Sequence, residues 1–182
     1  MARPADNTQP WFPITGHVTD GYSNEDEASA TCFCGAVQLA FPLKAPGFLG
    51  SFVCNCSDCR KITAYMFASN FIVKKAYLRH VRGEENLKTF SMQRSIASQN
   101  TMTNYFCNTC GSLMYRISSA APDGVAARLG SVDDFNLAET KMKPLVEQFT
   151  TTRVAWHDGV QGEDVQKFED SPYFPKHPDF GK

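Results

Sequence analysis

Seven cysteines in three tight groups constrain this chain more than any other feature. They stand at Cys32-Phe33-Cys34, at Cys54-Asn55-Cys56-Ser57-Asp58-Cys59 and at Cys107-Asn108-Thr109-Cys110, with none elsewhere. Thiols grouped in this way serve either a disulfide framework or a metal site. Disulfides use cysteines in pairs, and seven is odd. The first residues lack the apolar stretch of a secretory signal, so a cytoplasmic setting is expected, where grouped thiols bind metal rather than oxidise. Side chains two apart on a strand point the same way without meeting, which suits two ligands of one ion better than a bridge. Zinc takes thiolates readily, closes a structural site with four of them, and keeps an open position where only three are supplied. Buried free cysteines acting as small hydrophobes would leave the spacing unexplained. Spacing alone leaves the pairing open, since Cys56/Cys59 could join Cys107/Cys110 as in an ordinary zinc ribbon.

The rest of the composition narrows the class. With 182 residues, 42% hydrophobic and 20% charged, the chain is long enough for one folded domain with its own core. A net charge of −1 offers no basic surplus for nucleic acid or an anionic membrane. No apolar run approaches the ~20 residues of a membrane-spanning helix. Nucleic acid and a membrane are therefore not expected partners; the partner expected from the zinc chemistry is a small-molecule substrate.

Along the chain, residues 1–30 hold Pro4, Pro10, Pro13 and an acidic run at 24–27, and read as an irregular extension packed onto the body by Trp11 and Phe12. Residues 31–175 read as one zinc-binding domain and 176–182 as a tail. Val37, Leu39 and Phe41 alternate with Gln38 and Ala40, the period of a half-buried strand. Phe48–Val53 leads a second strand into Cys54. Ser57 is a candidate N-cap for a short helix over 58–63, which puts Cys59 in its first turn. Further strands are expected at 65–73, 103–106, 113–117, 125–129 and 145–154. Residues 77–90 read as strand, turn, strand, residues 91–101 as a polar loop, and Pro122-Asp123-Gly124 as a turn. Asn70 reads as a satisfied core amide, and residues 131–135 as a capped turn. The expected fold class is mainly β: zinc-stapled antiparallel sheets with short helical turns.

Thr31-Cys32-Phe33-Cys34-Gly35-Ala36-Val37, Cys54 to Lys61 and Phe106-Cys107-Asn108-Thr109-Cys110-Gly111 resemble the three signatures of the glutathione-dependent formaldehyde-activating enzyme family, which also contains centromere protein V. Gly130 to Asp134 and Arg153 to Trp156 resemble its later segments. The resemblance implies an Mss4-like fold. It also implies that Cys32, Cys34, Cys107 and Cys110 hold a structural zinc. Cys54, Cys56 and Cys59 would then hold a second, more labile zinc with an open position. Ile62-Thr63-Ala64-Tyr65-Met66 departs from the small, glycine-containing segment that follows Arg-Lys in the family, and its bulk reshapes the pocket.

The function expected on these grounds is a zinc-dependent carbon–sulfur lyase, or the reverse addition, on an adduct of glutathione or another thiol. Arg60, Tyr65 and His157 are the candidate substrate-binding residues, with Lys61 as a second cation. Asp58, Tyr65, His157 and a water on the zinc are candidate proton carriers. One alternative is a dehydratase or isomerase acting on a bulkier metabolite through the same zinc. The other is a non-catalytic zinc module for a protein partner, which a fourth side chain closing the second site would favour.

Overall fold

Two β-sheets pack face to face in the computed structural model, which describes residues 6–93 and 100–172. The expected tail and the middle of the polar stretch at 91–101 lie outside those residues. The smaller sheet is antiparallel and contains β1 (Glu27–Thr31), β2 (Gln38–Pro42) and β5 (Arg79–Arg82), in the order β1-β2-β5. The larger contains β3 (Phe48–Cys54), β4 (Ala68–Lys74), β6 (Leu87–Met92), β7 (Met102–Cys107), β8 (Leu113–Ser118), β9 (Ala121–Arg128), β10 (Val146–Gln148) and β11 (Gln166–Lys167). Its order is β11-β10-β3-β4-β9-β8-β7-β6, with β10 parallel to both of its neighbours and the other pairs antiparallel. One short helix, α1 (Ser57–Thr63), follows β3. The fold is mainly β, as expected from the pattern of the sequence.

Strand alternation gives the large sheet two unlike faces. Phe71, Ala127 and Tyr115 lie opposite one another across β4, β9 and β8 and share the core with Leu39 and Phe41 of the small sheet. The Phe41 and Phe71 rings meet at 4.5 Å. The other face carries the rows Phe52–Asn70–Arg128 and Ile72–Ala126–Arg116, with Cys54 beside Ala68 at one end. This second face bears the candidate site.

Several elements differ from the sequence reading. Residues 77–90 supply two strands, but no hairpin: β5 belongs to the small sheet and β6 to the far edge of the large one. Pro122-Asp123-Gly124 lies within β9, and the turn falls just before it, at 119–120. Proline is tolerated there because β4 reaches only as far as the Lys74–Gly124 pair, and the ladder with β8 breaks register after Ser118–Ala121. The strand expected over 145–154 stops after Gln148, where Phe149 takes a left-handed φ of 58° and a 3-10 turn follows at Thr150–Thr152. β1 begins at Glu27, inside the stretch read as an irregular extension, where Arg79 and Tyr22 both bond to the Glu27 carboxylate.

The segment ahead of β1 is tied down by two adjacent aspartates. The Asp134 carboxylate accepts from the Trp11 N–H (2.9 Å), the Ser23 hydroxyl (2.6 Å) and the Asn136 N–H (3.1 Å). Asp133 accepts from the hydroxyls of Ser29 and Thr31 on β1 (2.6 and 2.7 Å). Trp11 sets its ring edge-on to Phe135, whereas Phe12 remains largely exposed. At the other end of the sheet, Glu147 on β10 is fully buried. It accepts from Asn55 Nδ2 (3.0 Å), Arg153 Nη1 (3.1 Å) and the Val160 N–H (3.2 Å). Burial alone would raise its pKa, but these donors outweigh burial and hold the carboxyl below its usual value. Gly159 closes over this pair at φ +80°, where a Cβ would stand 2.4 Å from both Glu147 Oε2 and Arg153 Nη1.

Two outcomes are expected. Asp134→Ala orphans three donors and should cost ~2–4 kcal/mol in urea unfolding, with faster proteolysis ahead of β1. Because the Glu147 carboxyl is held low, its contribution is present above its unfolded pKa and is lost as pH falls through that range. Glu147→Gln should therefore be less stable than the parent by ~1–3 kcal/mol at pH 7, with the gap narrowing towards pH 3. A gap that stays constant with pH would show that Glu147 acts by shape alone.

Candidate metal centre

All seven cysteines are free thiols, and they gather in two places. Cys32 and Cys34 lie in the turn between β1 and β2, Cys107 ends β7, and Cys110 lies in the turn from there to β8. Each turn closes with a glycine at positive φ, Gly35 at 78° and Gly111 at 74°. That conformation lets the chain fold back and aim its thiols inward at little steric cost. The four sulfurs lie within 4.8 Å of one another, with Cys32–Cys34 at 3.6 Å and Cys34–Cys107 at 3.7 Å. A tetrahedron built on zinc–sulfur bonds of ~2.3 Å has edges of about 3.8 Å, so the donor set fits a zinc ion. Backbone N–H groups already point at the sulfurs, as from Val37 to Cys32 Sγ (3.2 Å). Burial pushes the Cys32 thiol up to about 12. Burial acts the same way on Cys110, but bonds from Ser112 and Cys34 outweigh it and bring this thiol down to about 6.

The second group comprises Cys54, Cys56 and Cys59, all buried, with sulfurs again within 4.8 Å of one another. β3 delivers Cys54 at its last residue, and α1 presents Cys59 in its first turn. The helix cap is Cys56 rather than Ser57: its Sγ accepts the Cys59 N–H at 3.4 Å. A sulfur that already faces the other two is better placed to cap than a serine one residue later. Asn55, between the two, is fully buried and anchored to Glu147 and the Gln148 carbonyl, which fixes the direction in which its neighbours point. Among the described residues no fourth His, Cys, Asp or Glu joins this group.

Two arginines absent from the sequence reading stand beside these sulfurs. Arg116 of β8 and Arg128 of β9 both interact with Cys59. Hydrogen bonds from the Cys54 and Cys56 thiols hold Cys59 well below the ordinary thiol range, and the two guanidinium charges add to this. The same bonds, with burial, push Cys54 well up. Burial and the neighbouring Arg116 bring Arg128 down to about 10, so it stays charged at neutral pH. Asn70 is a satisfied core amide: its Nδ2 donates to the Ala68 carbonyl (3.0 Å) and its Oδ1 accepts from Arg128. Nε of Arg116, and Nε and Nη2 of Arg128, are buried without a hydrogen-bond partner. A charged residue inside each of two apolar strand runs is the signal in the sequence that marks them.

Cys54, Cys56, Asp58 and Arg116 line one end of an open cleft of about 780 Å³. Most of its remaining wall is apolar and comes from the outer face of the large sheet. Arg60, Tyr65 and His157 lie elsewhere. Arg60 donates to the Thr152 carbonyl (3.3 Å) and contacts Met66 Sδ. The Tyr65 and His157 rings both pack on Phe67, His157 nearly parallel to it at 4.7 Å. None of the three lines the cleft.

No helix among the described residues is long and apolar enough to cross a membrane. A comparison with curated proteins found no match. Among solved structures, a Rhodobacter sphaeroides protein determined as a structural-genomics target is similar at 28% identity. The match covers 57% of this chain and 85% of the other, with a TM-score of 0.45. The pattern of the glutathione-dependent formaldehyde-activating enzyme family matches residues 27–152, more than half of the chain, and the chain belongs to that family.

Proposed function

We propose that this chain makes or breaks a carbon–sulfur bond between a thiol, such as glutathione, and an electrophilic carbon. Cys54, Cys56 and Cys59 would hold the zinc at which this happens, while Cys32, Cys34, Cys107 and Cys110 would hold another as a staple. The observation that supports this best is a group of three sulfurs, rather than four, at the end of a cleft. A zinc held by three cysteinates supplies a Lewis acid with an open position, where a thiol is acidified or a departing thiolate is stabilised.

The protein's own groups complete the chemistry. Three thiolates around one divalent cation leave about −1 of charge, which repels a further anion. Arg116 and Arg128 bring the local balance to about +1 and make an incoming thiolate welcome. Asp58, on the cleft wall two residues beyond Cys56, is the lining carboxylate closest to the cysteines in sequence and would carry the proton. In the addition direction the sulfur–carbon bond forms, the carbonyl π pair moves to oxygen, and the thiol proton passes by way of Asp58 to that oxygen. Cleavage runs the same steps backwards, so neither direction needs an oxidant or a reductant. Tyr65 and His157, packed on Phe67, and Arg60, bonded to the Thr152 carbonyl, are in this reading contacts for the outer part of the thiol carrier rather than for the reacting atoms.

Metal analysis should find two zinc ions per chain, and one in Cys56→Ser, with glutathione binding by calorimetry lost in that variant. A parent chain holding one zinc at saturation, or a variant that binds glutathione unchanged, would overturn the assignment. Arg116→Met should retain both metals yet bind glutathione about tenfold more weakly, the effect of removing one close charge.

A further inference from the structure

The cleft is the wrong kind of surface for glutathione itself. Glutathione's carboxylates and ammonium call for charged partners. Among the described residues the cleft wall carries two basic groups, Lys74 and Arg116, of which Arg116 is committed to the sulfurs, and two acidic ones, Asp58 and Asp123. The bulk of the wall is Leu49, Phe52, Ile72, Met102, Ala126 and Phe149. Its volume, about 780 Å³, falls in the ~300–1,000 Å³ range of sites that enclose drug-sized molecules. Formaldehyde would fill a minute fraction of it and leave the apolar wall uncovered.

Building on the thiol reading above, we infer that the cleft holds the carbon partner of the reaction, and that this partner is an apolar, ring-sized electrophile such as an aromatic or conjugated aldehyde. Its body lies over Ile72 and Ala126, and its carbonyl points to the end lined by Cys54, Cys56 and Arg116. Cross-strand register places Ile72, Ala126 and Arg116 in one continuous row across β4, β9 and β8, and Arg116 interacts with all three cysteines of the cluster. That row therefore joins the apolar wall to the cationic end. Small side chains at Ala120, Ala121, Gly124 and Ala126 leave the room that larger ones would take.

The test uses the zinc-loaded full chain. The fluorescent probe 1-anilinonaphthalene-8-sulfonate, with apolar rings and one anionic group, should bind and be displaced by cinnamaldehyde but not by formaldehyde. Ala126→Trp fills the middle of the cleft and should weaken probe binding at least about tenfold, the effect of losing a buried ring contact, with zinc content unchanged. Leu49→Asp, at an exposed rim position, should weaken it in the same direction and keeps the test decisive should the Ala126→Trp chain fail to fold. With glutathione present, kcat/KM should favour cinnamaldehyde over formaldehyde by at least about tenfold, and both variants should shrink that ratio. Probe binding indifferent to both substitutions, or equal turnover of the two aldehydes, would overturn the inference. Probe seated in the cleft with no glutathione binding anywhere would instead sink the thiol reading and leave the apolar site standing.

Discussion

Packing thiols against one another inside a protein is electrostatically unfavourable, and this fold does it twice. Sulfurs held 3.6–3.7 Å apart cannot all ionise without a cation among them, and burial raises the cost of each charge. In the four-membered group the geometry already matches the edges of a zinc tetrahedron, and N–H groups already point at sulfur. Such an arrangement costs free energy unless an ion is present, so holding a zinc there would couple its binding to folding. The location fits that role. Cys32 and Cys34 come from the small sheet and Cys107 and Cys110 from the large one, so a single ion would join the two sheets at one end.

The three-membered group is placed quite differently. It lies on the outer face of the large sheet, where strand alternation has put Phe52, Asn70, Ile72, Ala126, Arg116 and Arg128 in a common layer. The inner face takes all of the packing against the small sheet, which leaves the outer face free to carry polar groups and a cleft. β10 extends that face by pairing parallel to β3, and its buried Glu147 reaches back to Asn55 between two of the sulfurs. A parallel neighbour brought in by a long connection thus fixes the direction of the motif it lies beside. Precision at the cluster comes from this supporting layer as much as from the cysteines themselves.

Much of this was legible in the sequence because cysteine spacing is a strong local signal. The motifs, the strands leading into them and the mainly β class follow from short-range pattern. What failed depended on long-range partners. Pro122-Asp123-Gly124 carries every mark of a turn, yet it stands in a strand because β9 outruns the end of β4. Glu84-Glu85-Asn86 separates two strands, but nothing local says that they enter different sheets. Glu27 reads as part of an acidic loop until Arg79 and Tyr22 close on it. Arg60 is the cation nearest to the cysteines in sequence, whereas Arg116 and Arg128 reach Cys59 across two strands from some sixty residues away. Their trace is an arginine set inside each of two apolar runs, which is unusual enough in a strand to mark a buried partner.

Arginine and thiolate here solve each other's problem. An uncompensated guanidinium buried in a sheet face costs several kcal/mol, on the order of what a small domain has to spare. Arg128 is 7% exposed, with two of its nitrogens lacking any hydrogen-bond partner. Asn70 supplies one bond, and the remaining compensation is coulombic, from the sulfurs. Conversely, three thiolates buried together with no cation behind them would be driven to protonate. The arginines therefore favour the ionised form of Cys59 before any metal arrives, and would leave a surplus of positive charge once one is held. That surplus is what the thiol reading proposed above requires of a site that receives one more anion and lets it go again.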